Sequence, residues 1–282
     1  MTRLTHQDHA RDRSGMTYVY PVLSRRAGGL SIGINLSPNN ACNWACLYCQ
    51  VPNLQRGASP KADIEHLALE LESLLTAHRE GALAERFELE GDARIIRDLA
   101  LSGNGEPTSC PNLDEVMSLI EARFLDQLPA QAAKILITNG SLAHQPRVRR
   151  ALEHWGRLGG EIWFKLDRGL ARGRRALNQA QSSSDQIRRA LAACLDSAPT
   201  WIQTCLVRLD GEDPSAADWA AYFNLLEEFK KPPGPLKGVL YYGLARPSMQ
   251  GAADRLGPIA ASTIEDLIAR TEALGLAVRH HP

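Results

Sequence analysis

Ser31-Ile32-Gly33-Ile34-Asn35-Leu36 runs through a polar turn (Pro38, Asn39, Asn40) into Cys42-Asn43-Trp44-Ala45-Cys46-Leu47-Tyr48-Cys49, and this stretch decides how the chain is read. The first six residues read as a strand. The last eight place three thiols in one loop, close enough to wrap a single metal centre. The other cysteines, Cys110, Cys194 and Cys205, are scattered. In a chain of 282 residues that is no disulfide framework, and a tight cluster of this kind reads as a metal site in a reducing compartment.

Downstream of the cysteines the hydrophobic pattern switches repeatedly between strand and helix periods. A helix is expected over 62–86. Strands follow over 95–101, 134–138, 161–167, 201–209 and 239–244, with a last short one over 276–279. Between them lie helices over 113–124, 148–158, 185–195, 216–229 and 264–274, the third capped by Ser184. Six strand–helix units imply a parallel sheet with right-handed crossovers. Six are too few for a full eight-stranded barrel, so a partly open barrel and a doubly wound sheet both fit. One domain is expected over 17–282 with a short C-terminal extension, after a disordered arm over 1–16.

Thirty-two basic residues balance thirty-two acidic ones, so no global field draws the chain to nucleic acid or membrane. No apolar run approaches the roughly 20 residues of a membrane span, and the first 16 residues lack the apolar core of a signal peptide. A cytoplasmic protein is expected.

Polar residues collect where strands should end, which in parallel α/β folds is where ligands gather. Gly103-Asn104-Gly105-Glu106 follows the second strand. The glycines would let backbone approach a ligand, and Glu106 would accept from an ammonium. Asn139 follows the third strand, with an amide suited to a ribose hydroxyl. Lys165 and Asp167 end the fourth on one face, to meet a ligand or each other. Gln203 lies within the fifth, and Arg246 after the sixth. From 144 to 189 there are 11 Lys/Arg against 4 Asp/Glu. The tight run Arg168-Gly169-Leu170-Ala171-Arg172-Gly173-Arg174-Arg175 reads as a loop over 168–175 able to hold phosphates of RNA.

Three thiolates suit a [4Fe–4S] cubane with one iron left open, the mark of a catalytic centre. Two alternatives stand beside it. One is zinc completed by Cys110 or a histidine; the other is an electron-transfer cluster with a fourth cysteine.

Cys-x₃-Cys-x-Tyr-Cys after a first strand resembles the radical S-adenosylmethionine (SAM) superfamily. Gly33-Ile34-Asn35-Leu36, Cys49-Gln50-Val51 and Ser102-Gly103-Asn104-Gly105-Glu106-Pro107-Thr108 resemble its wyosine-synthase-like Fe–S oxidoreductases. So do Ile137-Thr138-Asn139-Gly140, Lys165-Leu166-Asp167 and Ala245-Arg246-Pro247. The resemblance implies a (βα)₆ partial TIM-type barrel, with Cys42, Cys46 and Cys49 on one cluster and SAM on its open iron. It places the 103–106 segment against the SAM amino group and implies reductive cleavage to methionine and a 5′-deoxyadenosyl radical, which abstracts hydrogen from substrate. Wyosine synthases carry further N-terminal cysteines for a second cluster, whereas residues 1–41 here have none. A single cluster and a reaction other than the wyosine one are therefore expected. The electron would come from a partner of flavodoxin or ferredoxin type. RNA bases, small molecules and a partner protein receiving a glycyl radical all remain open as substrates.

Overall fold

The computed structural model describes residues 4, 15–231, 236–244 and 246–281. The expected arm over 1–16 lies almost wholly outside them, as does Ala245. Eight strands form one sheet: β1 (Val19–Ser24), β2 (Gly29–Ile34), β3 (Ile96–Leu101), β4 (Ala133–Thr138), β5 (Gly160–Lys165), β6 (Thr200–Cys205), β7 (Gly238–Tyr242) and β8 (Ala277–His281). They lie side by side in chain order, β1 antiparallel to β2 and every later neighbour parallel. An order without reversal has no switch point, which rules out the doubly wound alternative. The curled sheet is the partial TIM-type barrel expected from the sequence, its six expected strands being β2–β7 and the short terminal one β8.

Strand pleating explains why the sheet curls around a cavity. Ile162 and Phe164 point outward into the main core, which the helices cover with Trp155, Phe124 and Leu67. The alternate residues point inward, where Ala100, Ile135, Trp163, Trp201 and Leu240 form a small separate cluster. The covering helices are α1 (Ile64–Arg79), α2 (Ala82–Phe87), α3 (Leu113–Leu119), α4 (Pro146–Arg157), α5 (Ala171–Asn178), α6 (Ser184–Ser197), α7 (Ala216–Phe229) and α8 (Ala261–Ala273). No helix among the described residues is long and apolar enough to cross a membrane.

Four local readings are corrected. The helix expected over 62–86 breaks at Gly81, whose φ of 82° is left-handed, to give α1 and α2. The cap of α6 is Ser183 rather than Ser184, in a capping box with Gln186. The strand expected over 201–209 leaves the sheet after Cys205, and Val207–Leu209 pairs instead with Leu256–Pro258. The basic segment over 168–175 is largely the helix α5, with two of its arginines buried. Arg168 donates to the Asp167 and Val207 carbonyls and faces Asp218 at 3.7 Å. Arg174 donates to the carbonyls of Arg168, Gly169 and Ser182. Both are structural, which leaves Arg172 and Arg175 exposed on a helix rather than on a loop.

β1 was not foreseen as a strand. It is held from outside by one buried carboxylate on α1, Glu70, which accepts the amides of Thr17 (2.6 Å), Tyr18 (2.7 Å) and Val19 (3.1 Å) and faces His66 Nε2 at 3.0 Å. β1 in turn brings Tyr20 over Gly33, where a Cβ would meet the ring at 2.1 Å. Replacing Glu70 with Ala leaves three amides without their acceptor. Glu70→Ala should lower unfolding stability by about 2–3 kcal/mol in urea titrations, with selective loss of hydrogen-exchange protection in 17–24. Unchanged protection there would show that β1 is held by the sheet alone.

Candidate metal centre

The loop carrying Cys42, Cys46 and Cys49 has almost no regular structure, so its shape is imposed by neighbours. Cys42 pairs in a two-residue ladder, Ala41–Cys42 beside Gln55–Arg56. The end of α5 holds the middle. Ala45 N–H donates to the Asn178 carbonyl and Leu47 N–H to that of Leu177, while the Arg56 guanidinium ties the Asn43 and Gln179 carbonyls together. The segment over 246–250 braces the far side. Ser248 Oγ donates to the Leu47 carbonyl at 2.6 Å, Gln250 Nε2 to those of Cys49 and Val51, and Gln50 Nε2 to that of Arg246.

Two donors point at sulfur: Trp44 N–H at Cys42 Sγ (3.5 Å) and Asn178 Nδ2 at Cys46 Sγ (3.3 Å). Burial pushes the Cys42 thiol up to about 12 and that of Cys46 up to about 11, the latter helped by the Asp167 charge. Such thiols ionise only when a metal compensates the charge. Among the described residues no three His, Cys, Asp or Glu side chains already converge on one point. Cys110, the possible fourth ligand, is buried beside Asn112. A cubane binds each cysteine at its own iron and does not need such convergence. Three half-buried thiols on one loop, two of them hydrogen-bonded at sulfur, are a donor set that fits it.

Beneath the loop a cavity of about 290 Å³ enters the barrel. The residues expected at the site divide on it. Gly103, Gly105, Lys165 and Gln203 line it, together with Cys49 and Arg246. Asn104, Glu106, Asn139 and Asp167 do not. The Glu106 carboxylate is fully engaged, accepting from Thr108 N and Oγ1, Thr138 Oγ1 and Asn139 N. It is not placed to accept an ammonium. The Asn139 amide reaches Asn43 Oδ1 at 2.7 Å, and its oxygen accepts from Ser141. Its side chain thus holds the cysteine loop rather than facing the cavity. Asn104 is tied to Asn35 and Asn40.

Asp167 lies beyond the end of β5, so the alternation that should have turned it inward has stopped. Its carboxylate accepts from the Tyr48 hydroxyl, Asn178 Nδ2 (2.6 Å) and Cys205 N–H (2.7 Å). Lys165 Nζ stands 3.6 Å from it, donates to the Tyr242 hydroxyl, and lies 5.0 and 4.6 Å from the ring centres of Tyr48 and Tyr242. The ion pair weighed from sequence is thus present, and Lys165 still borders the cavity.

The glycines also have a different reason from the one expected. A Cβ on Gly105 would meet the Ala41 carbonyl at 2.0 Å, and one on Gly103, at φ 139°, Asn35 Oδ1 at 2.5 Å. They let the segment pack against the stretch that leads from β2 into the cysteine loop, with any closeness to a ligand following from that. Gln203 is the reverse case. It is 2% exposed, and its Nε2 has no partner. A buried donor without an acceptor costs stability unless something in the cavity takes it. Sequence reading missed Asn178 and Tyr242. Neither stood in a motif, and both act only through the tertiary fold.

Among solved structures the chain superposes on HydG, a maturase of the [FeFe]-hydrogenase, with a TM-score of 0.58 at 13% identity, over 88% of this chain and 50% of that one. A spore photoproduct lyase variant gives 0.53 at 9% identity over 86% and 74%. TYW1 with a lysine–pyruvate adduct bound gives 0.51 at 15% identity over 96% and 78%. These are radical SAM enzymes, and the curled sheet of this chain has their fold. In sequence, the chain is 33% identical over 136 residues to a UPF0026 protein of Helicobacter pylori, covering 48% of this chain and 38% of that protein. It is 30% identical over 151 residues to a UPF0026 protein of Synechocystis sp., covering 53% and 48%. The matches therefore span less than half the length of these relatives. No family model matches the chain.

If Glu106 is a strut and Gln203 a cavity-wall residue, their removal should have opposite effects. Glu106→Ala should cost about 3 kcal/mol or more, since it strands four buried donors. Gln203→Leu should be neutral or stabilising within about 1 kcal/mol, because it deletes an unpaired donor at similar volume. Urea unfolding of the metal-free protein measures both, and equal losses would refute the division.

Proposed function

We propose that the chain is a radical SAM enzyme with a single [4Fe–4S] cluster on Cys42, Cys46 and Cys49 and SAM at its open iron. The observation that carries this is the cavity between Cys49, the Gly103–Gly105 segment, Lys165 and Gln203, whose wall includes a glutamine with a buried, unpartnered Nε2. Bound together, cluster and SAM supply one-electron cleavage to methionine and a 5′-deoxyadenosyl radical able to take hydrogen from a substrate.

The chain's own residues shape that space. Gly103 and Gly105 let the loop after β3 close on the stretch that leads into the cysteine loop, so cluster and cofactor would share one wall. Asp167 and Asn178 fix Tyr48 and Cys46 between them. Gln203 Nε2 offers a donor to the cofactor. Lys165, neutralised by Asp167, borders the site without adding a free charge. The electron comes from an external reductant of flavodoxin or ferredoxin type.

Anaerobic reconstitution with iron and sulfide tests the reading. The reduced protein should show a cluster EPR signal that changes on adding SAM, with slow release of 5′-deoxyadenosine. Cys46→Ala should lose the cluster and Cys110→Ala retain it. A cluster whose signal ignores SAM and releases no 5′-deoxyadenosine would leave an iron–sulfur electron carrier in place of the enzyme.

A further inference from the structure

The cavity reaches well below the cysteine loop. Trp163 lies two residues before Lys165 on the same face of β5, roughly 7 Å deeper in the barrel. There the wall changes character. The turn joining β1 to β2 sends Arg26 inward, its guanidinium 5.3 Å from the Trp163 ring centre and 5.7 Å from that of Tyr242. Arg26 makes no hydrogen bond or ion pair to any described residue. By contrast, the buried Arg168 is held by two carbonyls and Asp218, and the buried Arg174 puts both terminal nitrogens on carbonyls.

The nearest acid is Asp98, and it does not fill this role. It accepts from Ser31 Oγ, stands outside ion-pair distance of Arg26, and is pushed up to about 6 by burial despite the guanidinium nearby. The ring it stacks on, Trp163, also has its indole Nε1 buried without a partner. A guanidinium that lines the cavity on aromatic faces, with no hydrogen-bonded acceptor, forms a site that lacks its anion.

Resting on the radical SAM reading for the word substrate, we propose that the lower half of the cavity holds the anionic end of the substrate, a carboxylate or a phosphate monoester, on Arg26. The anion sits on the wall formed by the β1–β2 turn and Trp163. The rest of the substrate would then extend upward, past Trp163, toward the space beside Lys165 and Gln203. The Arg26 fork suits a two-oxygen contact with either anion.

Calorimetric titration of the anaerobically reconstituted protein at low ionic strength tests this, with inorganic phosphate and propionate as separate probes and SAM present throughout. At least one anion should bind saturably, and its identity distinguishes a phosphate from a carboxylate substrate. Arg26→Gln should weaken that binding roughly tenfold or more, while Arg26→Lys, which keeps the charge, should lose less. Arg175→Gln makes the same charge change on an exposed face of α5 and should bind as the parent does. Absence of saturable binding by the parent would overturn the proposal. So would parental affinity in Arg26→Gln, or anion binding that SAM displaces, which would give Arg26 to the cofactor. Binding at Arg26 by a protein that never cleaves SAM would refute the enzymatic reading and leave the anion site standing.

Discussion

The Asp167 carboxylate is the constraint on which the site depends. An eight-residue loop with three cysteines has only the short ladder at Cys42 and no helix of its own to keep its sulfurs in place, so most of its geometry must be set by contacts made elsewhere. Asp167 makes the central ones. It is buried, and it gathers the Tyr48 hydroxyl from within the cysteine motif, the Asn178 amide that also touches Cys46, and the amide of Cys205 at the end of β6. One side chain thereby ties the loop to α5 and to two neighbouring strands. A buried carboxylate is tolerable only when its oxygens are satisfied, and here the donors that satisfy it are the groups whose positions define the metal site.

The same logic recurs around the loop. Glu106 joins the end of β3 to the end of β4, and Asn139 passes that constraint to Asn43. These residues face each other across strand ends, which is where a parallel barrel exposes unpaired backbone. A polar side chain there can serve a ligand or lock adjacent loops, and the sequence does not distinguish the two uses. Only the hydrogen-bond count does. Glu106 has four donors, and nothing is left for a ligand to supply. Gln203 has an empty donor, so something is.

This is why the fold was more legible than the site. Strand–helix alternation is written in hydrophobic periods, and it gave every parallel strand of the barrel. Elements whose pattern is weak escaped. β1 contains Pro21 and joins β2 through an Arg-Arg-Ala-Gly-Gly turn, and its main tether, Glu70, lies more than fifty residues away. α5 contains three arginines in eight residues, so its periodicity is that of charge, and it looked like a phosphate-holding loop. Arg174 shows the cost of that reading, since it is buried and bonded to carbonyls that no local pattern announces. The cysteines were legible for the opposite reason. Their spacing is local, and the requirement for several thiols on one loop is chemical rather than tertiary.

Charge inside the barrel follows the rule that separates struts from cavity walls. Lys165 and Arg26 are both cations set against aromatic rings in the same cavity, and both stack on Tyr242. Lys165 has its counter-charge in Asp167 and a hydroxyl acceptor in Tyr242, so it asks little of a ligand. Arg26 has ring faces only, which offset part of the loss of hydration but accept none of its five N–H groups. Its position depends on the β1–β2 turn, and through β1 on the Glu70 carboxylate outside the barrel. A chain that commits a buried acid to hold an edge strand, so that the strand's turn can deliver an unpaired cation to the interior, incurs a desolvation cost that packing alone does not return. An anion arriving with the substrate would return it, and only when the cavity is filled.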